Sequence, residues 1–180
     1  MSQVHIVLLR GVNVGGRPLP MADLRAWAKG LGFSNARTLI ASGNLIMEGG
    51  ASSGADLETL LEREAVTGLN LKTAFFVRTP QEWRAMIETN PFPAEAEEHP
   101  AKLIAHLTKE TVPAAALKTL REAITGPERV EAGKRVLYID FPEGQGRSTL
   151  DRDWARTKAA PLGTSRNWNT VLKILKAVEG

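Results

Sequence analysis

The sequence of 180 residues predicts an α+β fold made of two split βαβ plait subdomains. Three observations lead to this prediction. Short apolar runs of strand length alternate with segments of helical periodicity, and the two halves of the chain repeat nearly the same order of elements. The composition is that of a globular domain, with 43% hydrophobic and 24% charged residues. A chain of this length buries enough apolar surface to fold without a disulfide or a structural metal.

Residues 1–79 predict the first subdomain, with the element order βαββαβ. The apolar run over residues 4–9 predicts a buried strand, and the glycine-rich turn after it leads to a helix that starts near Pro20. The apolar residues of this helix recur at helical spacing: Leu24, Trp27, Ala28 and Leu31.

Two strands, a helix and a last strand complete the first subdomain. Residues 36–41 and 45–48 predict strands joined by Ser42-Gly43-Asn44, the Ser-Gly-Asn turn, whose residue types suit a hairpin. A helix that begins at Asp56 and a strand over residues 71–78 follow.

Residues 80–100 predict a helix and then an acidic connector, and residues 101–180 predict the second subdomain. Its elements are a strand, a helix, a hairpin turned at Ala132-Gly133 and a C-terminal helix over residues 164–178. The order βαββα repeats the first subdomain without its last strand. Because each half is too small to bury both faces of its sheet alone, we expect the two to pack as one unit.

The net charge of +3 conceals a polarised chain. Residues 10–37 carry five Lys and Arg side chains against one carboxylate, and residues 144–180 carry seven against three, so each segment has a net charge of +4. The residues between them carry 11 basic and 16 acidic side chains. Any anionic ligand is therefore expected at the two basic segments.

The first basic segment contains the glycine loop, residues 10–17, between a buried strand and a helix. Backbone N–H groups in such a setting can hold an anion, and Arg10 and Arg17 flank the loop. A phosphate-binding loop of nucleotide enzymes needs Lys and Ser or Thr where Arg17 and Pro18 stand, and the spacing of Gly11, Gly15 and Gly16 does not fit the dinucleotide fingerprint. The alternative is a tight crossing that needs glycine only for its backbone conformation.

Small polar side chains in the Ser-Gly-Asn turn give a second candidate. Ser42 and Asn44 could supply hydrogen bonds beside the glycine loop if both turns lie at the same end of the sheet. Neither a neighbouring base nor a nucleophile elbow accompanies Ser42, so a plain turn is the alternative.

The start of the C-terminal helix gives the third candidate. Thr164 or Ser165 could cap this helix, with Arg166 beside its open first turn and Asn169 on the exposed side. Arg and Asn side chains on one helical face can bind phosphate, although a solvated basic face shows the same pattern. Trp168 falls on the apolar side and is expected in the core.

Several function classes lack the residues that they need. The chain has no Cys, and His5, His99 and His106 are isolated in the sequence, so neither a metal site nor a cofactor is predicted. No paired carboxylates or nucleophile motif indicate a catalytic residue. No basic region precedes the first apolar run and no apolar stretch is long enough to span a bilayer, so we expect a cytoplasmic protein without a membrane partner.

Three spaced motifs resemble an uncharacterised bacterial family, domain-of-unknown-function family 1697. They are residues 8–16 with Pro20-Met21 and Leu24, the Ser-Gly-Asn turn, and residues 165–171. The resemblance covers almost the whole chain and implies a two-part ferredoxin-like plait. It implies no activity, substrate or catalytic residue.

We therefore predict that the three candidates converge on one basic site for a phosphorylated ligand, either a nucleotide or a nucleic-acid backbone. One alternative is an enzyme acting on a small anionic metabolite, and another is a structural or protein-interaction module without a ligand. The sequence does not indicate the oligomeric state. The predicted ligand-binding residues are Arg10, Asn13, Gly15, Gly16, Arg17, Ser42, Asn44, Arg166, Asn167 and Asn169.

Overall fold

The computed structural model describes residues 2–13 and 18–180. These residues contain eight strands, arranged as two four-stranded antiparallel sheets, and seven α-helices. The chain divides into two units, of which the first comprises Met1–Arg84 with Ile174–Gly180 and the second comprises Ala85–Lys173. The α+β prediction is confirmed.

The first unit follows the predicted order βαββαβ. Its elements are β1 (Val4–Leu9), α1 (Met21–Gly30), β2 (Ser34–Thr38), β3 (Asn44–Glu48), α2 (Gly54–Gly68) and β4 (Phe75–Arg78). The strands lie in the order β2-β3-β1-β4, so the first and last strands pair directly. Because alternate residues of a strand face opposite sides of the sheet, Val7 and Leu9 of β1 lie together in one apolar cluster with helix residues that include Leu24 and Leu57.

Carboxylates from α2 cover the outer edge of β4. This strand lies at the end of its sheet, where N–H groups would otherwise face away from any partner strand. Glu62 accepts the Phe75 N–H at 2.9 Å, and the buried Glu58 accepts the Val77 N–H at 2.8 Å. Glu58 also lies 3.7 Å from Nη1 of the buried Arg78. The long helix α2 therefore both packs on the sheet and closes its edge.

The helix α3 (Pro80–Glu88) crosses from the first unit into the second, and eight further elements follow it. These are α4 (Pro93–Glu98), β5 (Leu103–Thr108), α5 (Ala114–Ala123), β6 (Arg129–Gly133), β7 (Val136–Asp140), α6 (Leu150–Ala155), β8 (Gly163–Asn167) and α7 (Trp168–Glu179). The strand order β6-β7-β5-β8 matches the order in the first sheet. The C-terminal part of α7 groups with the first unit, where Arg37 donates to the Ala177 carbonyl at 2.6 Å.

The prediction that the second subdomain lacks its last strand is wrong, because β8 fills that place beside β5. The sequence segment has no apolar alternation, since its buried residues are Gly163, Thr164 and Arg166. Backbone pairing with β5, rather than apolar burial, places this strand in the sheet. The last helix accordingly begins at Trp168 instead of residue 164, and Trp168 is buried as expected.

Two smaller predictions in this half are also corrected. The acidic connector contains the helix α4, which starts at Pro93, a favourable first position, and continues with Ala and Glu, both strong helix formers. The hairpin turns at Lys134-Arg135 rather than at Ala132-Gly133, because Gly133 still pairs with Val136 in the ladder. Arg135 in this turn has a φ of +57°, in the left-handed region.

Hydrogen bonds to one buried carboxylate hold α6 in place. Asp153 accepts the Thr125 N–H at 3.1 Å, the Thr125 hydroxyl at 2.7 Å and the Thr149 hydroxyl at 3.0 Å. The Thr125 hydrogen bonds, followed by the smaller contributions of Thr149 and Arg152, lower the pKa of Asp153 from its ordinary value of 3.8. This cluster joins the segment after α5 to a helix of six residues.

Candidate functional site

The described part of the glycine loop turns sharply away from the end of β1. Gly11 has a φ of +65° and Asn13 a φ of +60°, so two left-handed residues lie within three positions. Arg10 is exposed, and its backbone N–H donates to the Ala74 carbonyl at 3.1 Å. The predicted site residues Gly15, Gly16 and Arg17 lie outside the described residues.

The Asn13 side chain joins the glycine loop to its neighbours. Its Nδ2 donates to the Ala41 carbonyl at 2.8 Å and to the Leu19 carbonyl at 3.3 Å, and its Oδ1 accepts the Leu19 N–H at 2.7 Å. A single carboxamide thus bonds the loop both to the chain entering α1 and to the segment before the Ser-Gly-Asn turn. Asn13 therefore has a structural role at the described start of the loop, in addition to the ligand contact that the sequence suggested.

The Ser-Gly-Asn turn packs closely against the loop. Gly43 has a φ of +76°, and a Cβ at this position would lie 3.0 Å from Leu9 Cβ and 3.3 Å from Val12 Cβ. The Leu9 N–H donates to the Gly43 carbonyl at 2.9 Å. The structure therefore brings the first two predicted segments together at one end of the first sheet.

Asn44 is buried and uses its carboxamide within the turn. Its Nδ2 donates to the Leu39 carbonyl and to Ser42 Oγ, both at 2.9 Å. Ser42 is half-buried beside it. These bonds fix the turn from inside, so Asn44 acts on the shape of the surface rather than presenting its own amide on it.

A groove of about 740 Å³ begins at Pro18, the first described residue after the loop. Its walls come from the start of α1 and from the segment after α2, and they include Asp23, Trp27 and Asn70. Gly68 lies directly beneath Trp27, because a Cβ there would lie 2.6 Å from the indole ring. The volume is within the range of small-molecule sites.

The third predicted segment lies in the second unit and differs from its expected form. Arg166 is buried in β8 instead of exposed on a helix, and its Nη1 donates to Thr164 Oγ1 at 2.7 Å and to the Ser165 carbonyl at 2.8 Å. Burial lowers the pKa of Arg166 to about 10. Asn167, not Thr164 or Ser165, caps α7 by accepting the Thr170 N–H at 3.0 Å. Asn169 is exposed in the first turn of this helix.

Two residues that sequence analysis did not combine form a polar pair in the second unit. His106 of β5 lies opposite Ser165 of β8, and His106 Nδ1 is 2.8 Å from Ser165 Oγ. They are 59 positions apart in the chain, and only the register of a strand that the sequence did not reveal brings them together. No local motif could have found them.

We also searched the described residues for metal sites and for membrane-spanning helices. Residues 2–13 and 18–180 contain no group of three or more His, Asp or Glu side chains that could hold a metal ion. Within the same residues, the helices are too short or too polar to cross a membrane.

Comparison with known proteins gives a family and a shared fold. No curated protein matches the chain. The structure is similar to that of the conserved bacterial protein SP0830 from Streptococcus pneumoniae, with a TM-score of 0.79, 21% sequence identity and 100% of each chain covered. The TM-score shows a common fold, and at this sequence identity the likeness extends to the fold alone. Residues 1–138 match a family of proteins of unknown function, and the chain therefore belongs to the DUF1697 family.

Proposed function

We propose that this protein binds a phosphorylated ligand, either a nucleotide or a nucleic-acid backbone, at the surface formed by the glycine loop and the Ser-Gly-Asn turn. The observation that carries the proposal is the Asn13 carboxamide, which fastens the loop to Ala41 and Leu19. These hydrogen bonds order the described start of the loop, and a binding segment that is ordered before the ligand arrives costs less entropy on binding. Arg10 and Arg17 supply the positive charge.

The groove after the loop favours the nucleotide form of this proposal. It opens at Pro18, immediately after Arg17 in the chain, and contains the Trp27 indole. A phosphate at the loop would leave the remainder of a nucleotide within reach of this groove, where an aromatic ring can contact a base. Asp23 on the groove wall disfavours a second anionic group there.

Arg166, Asn167 and Asn169 belong to the second unit, and their contact with the ligand stays a prediction. Arg166 is engaged within β8, Asn167 caps α7, and Asn169 is exposed in the first turn of that helix. We also propose that each unit is a ferredoxin-like plait, which the order βαββαβ and the matching strand orders support. The subdomain limits 1–79, 80–100 and 101–180 and a cytoplasmic location are proposals of the same kind.

The test is binding of a fluorescent nucleotide panel and of labelled single- and double-stranded nucleic acid. We expect Arg10→Glu and Arg17→Glu each to weaken binding roughly tenfold or more, since each removes a charge-assisted hydrogen bond. Asn13→Gly keeps the left-handed backbone but removes the side-chain bonds, and it should also weaken binding. Arg63→Glu is the matched control, because Arg63 is 70% exposed on α2 of the same unit.

Salt dependence separates the two ligand classes. A nucleic-acid backbone should lose affinity steeply between 50 and 200 mM salt, on the order of 10³-fold for several phosphate contacts. A single nucleotide should lose far less. If the three loop variants bind every probe as the Arg63→Glu control does, the proposed site is wrong.

A further inference from the structure

A cavity of about 310 Å³ in the second unit is lined by β5, β7, β8 and α6. Its wall is largely apolar and includes Phe141, Leu150 and Trp154. His106 and Ser165 lie on the same wall, together with Gln145 and Asp151. The cavity thus combines an apolar surface with a small polar group, which is the usual character of a small-molecule site.

The polar pair has the geometry of a nucleophile and its base. The distance of 2.8 Å between His106 Nδ1 and Ser165 Oγ is that of a direct hydrogen bond. His106 Nε2 lies 3.5 Å from the Pro161 carbonyl, a group that can only accept. This neighbour favours the proton on Nε2, which leaves Nδ1 to accept the hydroxyl proton of Ser165.

Gly163 fixes the position of the imidazole ring. A Cβ at this residue would lie 2.3 Å from His106 Nε2 and 2.5 Å from the Leu107 carbonyl. A larger residue would have to displace either the ring or the paired strand. The position beside the His106 ring therefore requires glycine, as expected where a side chain is held in one orientation.

The fold itself does not require a polar pair at this place. In the first sheet Val7 occupies the fourth position of β1 and pairs with Val77, just as His106 occupies the fourth position of β5 and pairs with Ser165. Val7 and Val77 are fully buried among apolar neighbours. His106 is half-buried and Ser165 is exposed, and both line a cavity instead.

We propose that Ser165 is a nucleophile and His106 its general base in an esterase site that accepts small, uncharged esters with an apolar acyl group. The acyl group would lie against Phe141 and Trp154. Asp151 is the one Asp, Glu, Lys or Arg among the described residues that line the cavity, and its carboxylate disfavours an anionic substrate. The site belongs to the second unit and does not depend on the phosphate site.

The reaction proceeds through an acyl-enzyme. Ser165 Oγ adds to the ester carbonyl carbon while its proton passes to His106 Nδ1, and the C–O bond to the alcohol then breaks as His106 returns that proton to the departing oxygen. Water next adds to the acyl carbon and gives a proton to His106. The bond to Ser165 Oγ breaks, the proton returns to the serine oxygen, and a carboxylic acid is released. Gln145 also lines the cavity, and its carboxamide is a neutral donor of the kind that stabilises a developing oxyanion.

The test treats the native chain with a small alkyl fluorophosphonate and maps the modified residue by mass spectrometry. We expect one phosphonyl adduct, on Ser165, and hydrolysis of p-nitrophenyl acetate that Ser165→Ala abolishes. His106→Gln should slow phosphonylation by about 100-fold, the scale of general base catalysis. Circular dichroism of each variant establishes that it is folded.

Ser148→Ala is the matched control, since Ser148 belongs to the same unit and bonds only to backbone at 3.0 Å among its described contacts. This variant should react as the native chain does. Absence of any adduct on Ser165 in the native protein, or equal labelling of a folded His106→Gln variant, would overturn the proposal. These measurements involve no phosphorylated ligand, so they are independent of the glycine loop.

Discussion

The two units share one plan of strands and helices but differ at two places. The segment between the first strand and the first helix spans residues 10–20 in the first unit and residues 109–113 in the second. Both segments end in a proline N-cap with an extended backbone, since Pro20 has a ψ of 135° and Pro113 a ψ of 151°. The additional residues in the first unit are the glycine loop. Because the shorter segment of the second unit joins the equivalent strand and helix, the plan of elements does not require the glycine loop.

The second difference is the length of the second helix. In the first unit α2 has 15 residues and closes the edge of β4 through Glu58 and Glu62. In the second unit α6 has six residues, and a cavity lies beside β8. Each departure from the common plan therefore coincides with one of the two sites that we propose.

Removal of the Glu58 carboxylate should have the largest effect on stability. Glu58→Ala leaves the Val77 N–H without its acceptor and the buried Arg78 without its carboxylate, so we expect a loss of about 3–5 kcal/mol in the free energy of unfolding. Urea unfolding of the native chain and of the variant measures this loss. Glu64→Ala is the control, because Glu64 forms an exposed pair with Arg63 and should change stability by less than about 1 kcal/mol. Similar losses in both variants would show that α2 does not close this edge.

The contrast between the units also explains what could be predicted from the sequence. An apolar run predicts β1 and helical periodicity predicts α1, and the structure has both elements where they were expected. The sequence did not predict β8, because it has no apolar pattern. Thr164 and Arg166 are buried there through strand pairing and through their own polar contacts. The helix α6 has only six residues, too few for a recognisable period.

Some of the site residues could be predicted from the sequence and others could not. The glycine loop and the Ser-Gly-Asn turn are contiguous motifs, so they can be recognised in the sequence. The sequence does not show that the side-chain amides of Asn13 and Asn44 donate to backbone carbonyls. The pair His106 and Ser165 depends on the register between two strands. Register follows from tertiary pairing, which periodicity alone does not reveal.

Removal of the Asp153 charge should have the next largest effect, smaller than that of Glu58→Ala. Asp153→Asn weakens three hydrogen bonds that hold α6, so the variant should unfold at lower urea concentration than the native chain at pH 7. The pKa of Asp153 is lowered in the folded state, so its contribution is complete above the ordinary value of 3.8 and is lost as the pH falls below it. The difference in the free energy of unfolding between the native chain and Asp153→Asn should therefore become smaller below pH 3.8. A constant difference across this range would contradict the assignment.

Gly163→Ala should destabilise the second unit by roughly 1–3 kcal/mol, because the added Cβ meets the Leu107 carbonyl and the His106 ring. Gly146→Ala is the matched control, since no heavy atom lies within 4 Å of a Cβ built there. The expected change for the control is within about 0.5 kcal/mol. Thermal unfolding followed by circular dichroism compares the two, and equal melting temperatures would show that the ring is not seated on Gly163.

The double variant His106→Val with Ser165→Val should have the smallest effect. It installs at β5 and β8 the pair that the first unit carries as Val7 and Val77. Because both partners of the hydrogen bond are replaced together, we expect a change within about 1 kcal/mol. A large loss in urea unfolding would mean that the polar pair is structural.

The most direct test compares a thiol at position 165 with a thiol at the equivalent position of the first unit. The chain has no cysteine, so Ser165→Cys and Val77→Cys each introduce a single thiol. Position 77 is filled and buried, whereas position 165 faces the cavity beside His106. We predict that iodoacetamide at pH 7 alkylates the thiol at position 165 at least about tenfold faster than the thiol at position 77, and that adding His106→Gln slows the reaction at position 165. Equal rates at the two positions, or no effect of His106→Gln, would contradict it.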